Sequence, residues 1–242
     1  MREFDHYRDG YSEQINKAIA FSGQSHDFYI EAKARYLQDL FRRLQKRLPD
    51  TMMTAGGGAQ PLDVLDVGCG HGLIHRFLRP SDAGVNLTGI DVAGTIIEDA
   101  KKANPHVHYD VYDGKRLPYS AQSFDAAFAI AVLHHVPPTS WNAFIAEMHR
   151  VVRRGGIVAL IEHNPINPLT QRVVRNLRMD DNAVLLGAGR LARLIADAGM
   201  VEIERRFILF TPFSGAVFRR RDGLLRWLPL GAQYCIAARV PH

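Results

Sequence analysis

The chain has 242 residues, 47% of them hydrophobic, and a formal charge of +5 from 30 basic and 25 acidic side chains that are mostly interleaved. That is apolar mass enough for a sizeable core in one α/β unit. The lack of a membrane-length apolar run and the polar opening Met-Arg-Glu-Phe-Asp-His argue against a transmembrane protein or signal peptide, so a cytoplasmic location is expected. Two cysteines, Cys69 and Cys235, suggest neither a disulfide scaffold nor a metal site, and no metal is expected.

In chain order, residues 4–21 read as an amphipathic helix broken at Ser22-Gly23. A longer helix runs from Asp27 to Leu48, with Phe28, Ala32, Leu37, Leu40, Phe41 and Leu44 inward. The stretch 49–61, with Gly56-Gly57-Gly58, reads as a linker. Its triple glycine is no phosphate loop, because neither a preceding apolar strand nor a following Lys-Ser or Lys-Thr accompanies it. From Leu62 the pattern alternates: strand 62–67, helix 71–79, strand 86–91, helix 93–103, strand 107–112, strand 124–130, helix 139–152 and strand 156–162, which argues a parallel sheet covered on both faces. Arg153-Arg154-Gly155-Gly156 reads as the turn into the last of these. Helices near 167–178 and 188–198 and strands near 201–211 and 232–240 follow. The stretch 212–230 between the final strands is longer than a hairpin needs and mixes Phe213, Val217, Phe218, Leu224, Leu225, Trp227 and Leu228 with Arg219, Arg220, Arg221 and Arg226. That mixture suits an anionic, greasy acceptor or an anionic membrane surface. The basic runs Arg42-Arg43 and Arg153-Arg154 read as solvated faces or helix ends.

The run Leu62-Asp-Val-Leu-Asp-Val-Gly-Cys-Gly-His-Gly72 is an apolar strand ending on an acid and breaking into alternating glycines. Bare backbone there lets a ligand approach closely, and unpaired amides favour anionic groups. Leu73 stands where a dinucleotide fingerprint needs its third glycine or alanine. The run instead resembles the first motif of class I S-adenosylmethionine-dependent methyltransferases. The resemblance continues through Asp91 in Leu-Thr-Gly-Ile-Asp-Val, Asp113 in Tyr-Asp-Val-Tyr-Asp-Gly, the Ser123-Phe124-Asp125 strand entry and Val132-Leu133-His134-His135-Val136.

That resemblance implies a doubly wound, mostly parallel, seven-stranded Rossmann-like sheet with an antiparallel last strand. It also implies a cap over 1–48, the linker 49–61, and an α/β domain over 62–242 carrying the 212–230 insertion. S-adenosyl-L-methionine would be the cofactor, leaving as S-adenosyl-L-homocysteine. Asp66 would orient the glycine turn and the ammonium, Gly68 and Gly70 would contact the methionyl part, Asp91 would hold the ribose and Asp113 the adenine, with Cys69, Val92 and Gly114 also in the cofactor site. Ala131 would lie at the floor, and Phe4, Tyr7 and Tyr11 would belong to an aromatic lid.

A methyl sulfonium is already activated, so positioning an acceptor can supply roughly 7–11 kcal/mol of the barrier. Where the acceptor must lose a proton, histidine is the first residue type to seek. His134, His135 and His163 all stand at strand ends, with His163 in Glu162-His163-Asn164-Pro165 and His134 as the candidates. The implied reaction is methyl transfer to O, N or C of a small molecule, acidic or lipid-linked. A non-catalytic adenosylmethionine-binding protein would retain the cofactor site without an acceptor pocket. Nucleic-acid methylation is disfavoured, since Ile130-Ala131-Val132-Leu133 replaces the Asn/Asp-Pro-Pro-aromatic run of base amino-methylases, and no nucleic-acid partner is expected.

Overall fold

The computed structural model describes residues 10–47, 60–78, 84–177, 180–209 and 224–242; the side chain of Tyr11 also lies outside the described residues. Phe4, Tyr7, most of the 49–61 linker and Arg219, Arg220 and Arg221 therefore fall outside them. The elements in order are α1 (Tyr11–Ile19), α2 (His26–Gln45), β1 (Leu62–Val67), β2 (Val85–Asp91), α3 (Gly94–Ala103), β3 (His108–Val111), β4 (Phe124–Ile130), α4 (Trp141–Val151), β5 (Val152–His163), α5 (Pro168–Arg175), α6 (Ala188–Asp197), β6 (Val201–Ile208) and β7 (Gln233–Arg239).

One seven-stranded sheet runs β3-β2-β1-β4-β5-β7-β6, with β7 antiparallel to both neighbours and the other pairings parallel. The strand order reverses between β1 and β4, where Val64 pairs with Ala126. This is the switch point at which open α/β sheets bind ligands beyond their carboxyl ends. The period of two sorts β5: Ile157, Ala159 and Ile161 face one helical layer, Val158 and Leu160 the other. On the second face Trp141, Ile145 and Met148 of α4 join Leu191 and Ile195 of α6.

On the first face α2 packs directly on the sheet, with Leu37, Leu40, Phe41 and Leu44 buried in the same cluster as Val64, Phe128 and Ile161. Phe28 and Ala32, expected inward, are only half-buried; Ile30, Lys33, Ala34 and Tyr36 take the inward positions instead. The helix faces the sheet with a stripe rotated from the one the first turn suggested.

Two local expectations change. Of the helix expected over 71–79, residues 71–78 are described and form no α-helix; the only helical turn among them is a 3₁₀ turn at His75–Phe77. Ile74 and Leu78 are still buried, as the pattern requires, but His75 is fully buried too and anchors the chain beneath the glycine turn. Arg153-Arg154-Gly155-Gly156 is not a loop but the bulged start of a continuous β5. Gly155 is left-handed at φ 80° and its N–H donates to Val240 O at 2.8 Å. Arg153 is not merely solvated, because its guanidinium clasps Asp125 at 2.7 Å and Asp63 at 3.3 Å, at the sheet end opposite the site.

Candidate functional site

At the end of β1 the chain turns through Gly68, Gly70 and Gly72, all left-handed, at φ 77°, 53° and 63°. A Cβ on Gly68 would stand 2.6 Å from a Val132 methyl, whereas nothing lies within 4 Å of where one on Gly70 would be. The turn thus packs on one side and leaves bare backbone on the other, the cradle a ligand needs. Asp91, at the end of β2, accepts from Gly70 N–H at 2.9 Å and Ala93 N–H at 3.0 Å, tying the turn to the start of α3. Asp113 is exposed and accepts from Lys115 and Arg116 N–H through a single oxygen, Oδ1, and these two amides hold its carboxyl below its ordinary range. Gly114 and Val92 form the rim beside it, with Val92 Cγ1 3.2 Å from the position of a Gly114 Cβ.

Asp66 is buried under the turn. Its carboxylate lies 2.9 Å from His75 Nε2, and His75 Nδ1 lies 2.6 Å from the Tyr109 hydroxyl. Asn104 Nδ2 then donates to that hydroxyl and to Gly72 O at 3.1 Å. Burial pushes the Asp66 carboxyl up against the pull of His75, so the acid serves mainly to brace this chain of bonds. Cys69 sits half-buried in the turn; burial, then the charges of Asp66 and Asp91, push its thiol well up and leave it unreactive. His75, Tyr109 and Asn104 were missed in the sequence. Their only signal is the polarity of a histidine inside an apolar pattern.

Beyond β4 and β5 a second group assembles. Ala131, with φ 55°, is held by its N–H to Ile161 O at 2.8 Å as the chain leaves β4. Glu162, fully buried, accepts from Val132 and Leu133 N–H and lies 2.7 Å from His134 Nδ1. On the other side Asp180 Oδ1 lies 3.7 Å from His134 Nε2 and 3.4 Å from His135 Nε2. Burial lowers the His134 pKa, but the charges of Glu162 and Asp180 outweigh it and bring it up to about 9. His134 is therefore a cation at neutral pH. Burial, then that neighbouring cation, hold His135 and His163 down at about 4, so both are neutral. His163 Nδ1 lies 3.4 Å from Gln233 Nε2, and its ring centre is 5.0 Å from that of His134.

Several of these groups line a cavity of about 330 Å³. Its polar lining includes Lys33, His134, His135, His163, Asp180 and Gln233, beside Ala131, and its apolar lining includes Ile15, Ile19, Phe21, Leu169, Val173 and Leu177. Lys33 is 9% exposed, and its side chain has no hydrogen-bond or ion-pair partner among the described residues. Burial lowers its pKa to about 8 against the pull of Glu162. Gln233 Oε1 is buried with no partner among the described residues. The structure thus gathers His134 and His163 with Ala131. It leaves Asp66, Gly68, Gly70, Asp91, Asp113 and Gly114 along the neighbouring strand ends. Tyr11 opens α1, with its side chain outside the described residues. In the 212–230 stretch, Leu224, Trp227 and Leu230 are exposed.

A family model described as "Methyltransferase domain" matches residues 65–160, the span from the first strand through β5. Over that stretch the chain is similar to the methyltransferases. Among curated proteins, it is 31% identical over 127 residues to the malonyl-[acyl-carrier protein] O-methyltransferase of Pseudescherichia vulneris, covering 52% of this chain and 49% of that protein. It is 28% identical over 176 residues to the phthiotriol/phenolphthiotriol dimycocerosates methyltransferase of Mycobacterium tuberculosis, covering 67% and 61%. The chain spans about half the length of the first of the curated relatives it matches. Its fold superposes on a SAM-dependent methyltransferase of Thermotoga maritima with a TM-score of 0.63 at 17% identity, covering 99% of this chain and 100% of that one. Among the described residues no helix is long and apolar enough to cross a membrane.

Proposed function

We propose that the protein transfers a methyl group from S-adenosylmethionine to a small acidic acceptor with an apolar body. The observation that carries this reading is the cavity beside Ala131, apolar along most of its wall with Lys33, Gln233 and three histidines in its lining, next to the strand ends that bear the glycine turn and Asp91. The open backbone at Gly70 and the exposed carboxylate of Asp113 suit the cofactor, with Asp91 on the ribose side and Asp113 and Gly114 on the adenine side. When bound, the cofactor supplies a methyl group on a sulfonium leaving group. The chain's own part is to hold the acceptor and exclude water.

Lys33, a buried cation without a counter-ion at hydrogen-bond distance, fits an anionic group on the acceptor, and Gln233 Oε1 fits a donor such as a hydroxyl. His163 is neutral and faces the cavity, so it can accept a proton from the acceptor, while His134, cationic and shared between two carboxylates, orients its neighbours. The names of the relatives, one of which is a malonyl-[acyl-carrier protein] O-methyltransferase, support an acidic or carrier-linked acceptor. The exposed Leu224, Trp227 and Leu230 beside Arg226 support contact with an anionic membrane surface that would deliver a lipid-linked one. A mostly apolar cavity with Lys33 and three histidines in its lining supports a catalytic protein over a purely cofactor-binding one. The test is to incubate the protein with methyl-labelled adenosylmethionine and fractionated cell extract and identify labelled products by mass spectrometry. Labelled small carboxylic acids or their conjugates are expected; adenosylhomocysteine binding with no labelled product from any fraction would overturn the catalytic reading.

A further inference from the structure

We propose that His134 Nε2, His135 Nε2 and the Asp180 carboxylate bind one divalent transition-metal ion of the zinc type at the wall of the acceptor cavity. The three ligand atoms lie within 4.8 Å of one another, on two segments that meet at the end of β4. Asp180 Oδ1 is 3.4 Å from His135 Nε2 and 3.7 Å from His134 Nε2. Ligand atoms 2.0–2.1 Å from a tetrahedral ion stand about 3.3 Å apart, so these separations need only a few tenths of an ångström of closure on the carboxylate side. The two imidazoles swing together by more.

The surroundings match those of a metal-binding histidine. Glu162, fully buried, lies 2.7 Å from His134 Nδ1 and is itself fixed by the N–H groups of Val132 and Leu133. A carboxylate on the far nitrogen orients the ring and aims Nε2 at the ion. Val184 N–H donates to His134 O at 2.8 Å and so ties the chain that carries Asp180 to the histidine pair. Gln233, 6% exposed, lines the same cavity, and its buried Oε1 has no partner among the described residues, so this wall suits a polar ligand.

Two imidazoles and one carboxylate suit zinc or ferrous iron and not magnesium or calcium, which take oxygen ligands. The ion would replace the proton that His134 otherwise shares with its two carboxylates. Three protein ligands leave at least one position toward the cavity, where an acceptor oxygen could coordinate and lose its proton more easily. The expectation of no metal rested on the cysteine count. Asp180 lies in an Asp-Asp-Asn loop with no sequence link to the histidines.

The ion site stands on these side chains alone, while its part in acceptor binding rests on the methyl-transfer reading. The test uses the full chain without a histidine tag, stripped by chelator and titrated with Co²⁺ as a coloured stand-in. About one equivalent should bind with visible d–d absorption, displaced by Zn²⁺ and not by Mg²⁺. His135→Ala should abolish the bands, and Glu162→Gln should weaken binding by about 10–100-fold. His163→Ala, outside the ligand set, should retain them. Circular dichroism and adenosylhomocysteine calorimetry on each variant report folding and the cofactor site separately, and His135, partly exposed, is the variant least able to disturb the core. No d–d absorption in the native chain, unchanged absorption in folded His135→Ala, or displacement by Mg²⁺ would overturn the site. Co²⁺ binding without adenosylhomocysteine binding would keep the site and remove the proposed function.

Discussion

Glu162 Oε2 lies 2.7 Å from His134 Nδ1, and the other oxygen of the same buried carboxylate accepts the N–H groups of Val132 and Leu133. One acid at the end of β5 therefore fixes both the backbone leaving β4 and the charge of the histidine that follows it. Its electrostatic consequence reaches across the cavity, because the cation it sustains helps to keep His135 and His163 neutral.

The first prediction is a stability maximum near pH 6.5. His134, raised to about 9 in the folded chain, contributes stability that is full below its unfolded value near 6.5 and fades as pH rises to about 9. His26, His135 and His163, each held at about 4 with burial the largest cause, act oppositely. The unfolded chain takes up protons that the folded one refuses, so stability falls as pH drops from 6.5 toward 4. Glu162 and Asp180 are held below the usual carboxylate range by His134 against their burial, and their contributions are lost only at still lower pH. Urea unfolding between about pH 5 and 9 measures this. Lys33, whose folded pKa is about 8, regains stability above pH 8 and offsets part of this loss, so the alkaline limb should fall by about 1 kcal/mol in the native chain, more steeply in Lys33→Met, and flatten in His134→Gln. A native chain equally stable at pH 7 and 9 would contradict the assigned charge.

The sequence carried the sheet and the strand ends around the glycine turn well, and the residues that line the cavity poorly, for a physical reason. Alternating strands such as 62–67 and 124–130 are written in local periodicity, and the structure reproduces both bounds. The glycines and Asp91 belong to one contiguous motif each. Lys33, Asp180 and Gln233 meet the histidines only through tertiary packing, from α2, from the loop before α6 and from β7. A lysine in an amphipathic helix reads as solvated; only the rotation of α2 against the sheet shows that it is inward. Residues 71–79 failed for a related reason, since an apolar i, i+4 pair fits both a helix and a 3₁₀ turn braced by a buried histidine.

The second prediction concerns Asp91. Its two oxygens hold Gly70 and Ala93 N–H, so replacement by alanine would disturb the turn as well as any ribose contact. Asp91→Asn preserves an acceptor oxygen and removes the charge. Loss of charge-assisted bonds worth about 1.5–3 kcal/mol each should weaken adenosylhomocysteine by at least about 10-fold in calorimetry. Unchanged affinity in the folded variant would remove Asp91 from the cofactor site.

His163 gives the third prediction. It faces the cavity and not the glycine turn, so His163→Ala should lower kcat by about 10²–10⁴ while adenosylhomocysteine affinity stays nearly native. Full turnover in that variant would reject a proton-accepting role and leave methyl transfer standing, as expected for an acceptor that is already an anion.

Lys33 separates function from stability. At 9% exposure, with its pKa brought down to about 8, it is an ammonium held in a mostly apolar wall at the expense of the folded state. Lys33→Met keeps the length and apolar stem of the side chain and removes the buried charge. Its unfolding free energy at pH 7 should rise, by up to about 3 kcal/mol from the depressed pKa. A residue kept only for packing would show nothing else. If Lys33 receives the anionic group of the acceptor, the same variant should raise KM for an acidic acceptor by at least about 10-fold while leaving adenosylhomocysteine affinity unchanged. In the native chain kcat/KM for that acceptor should decline as pH rises through about 8, where the free ammonium loses its proton, and this decline should vanish in the methionine variant. A more stable Lys33→Met protein with native KM and an unaltered pH profile would show that the lysine plays no part in recognising the acceptor.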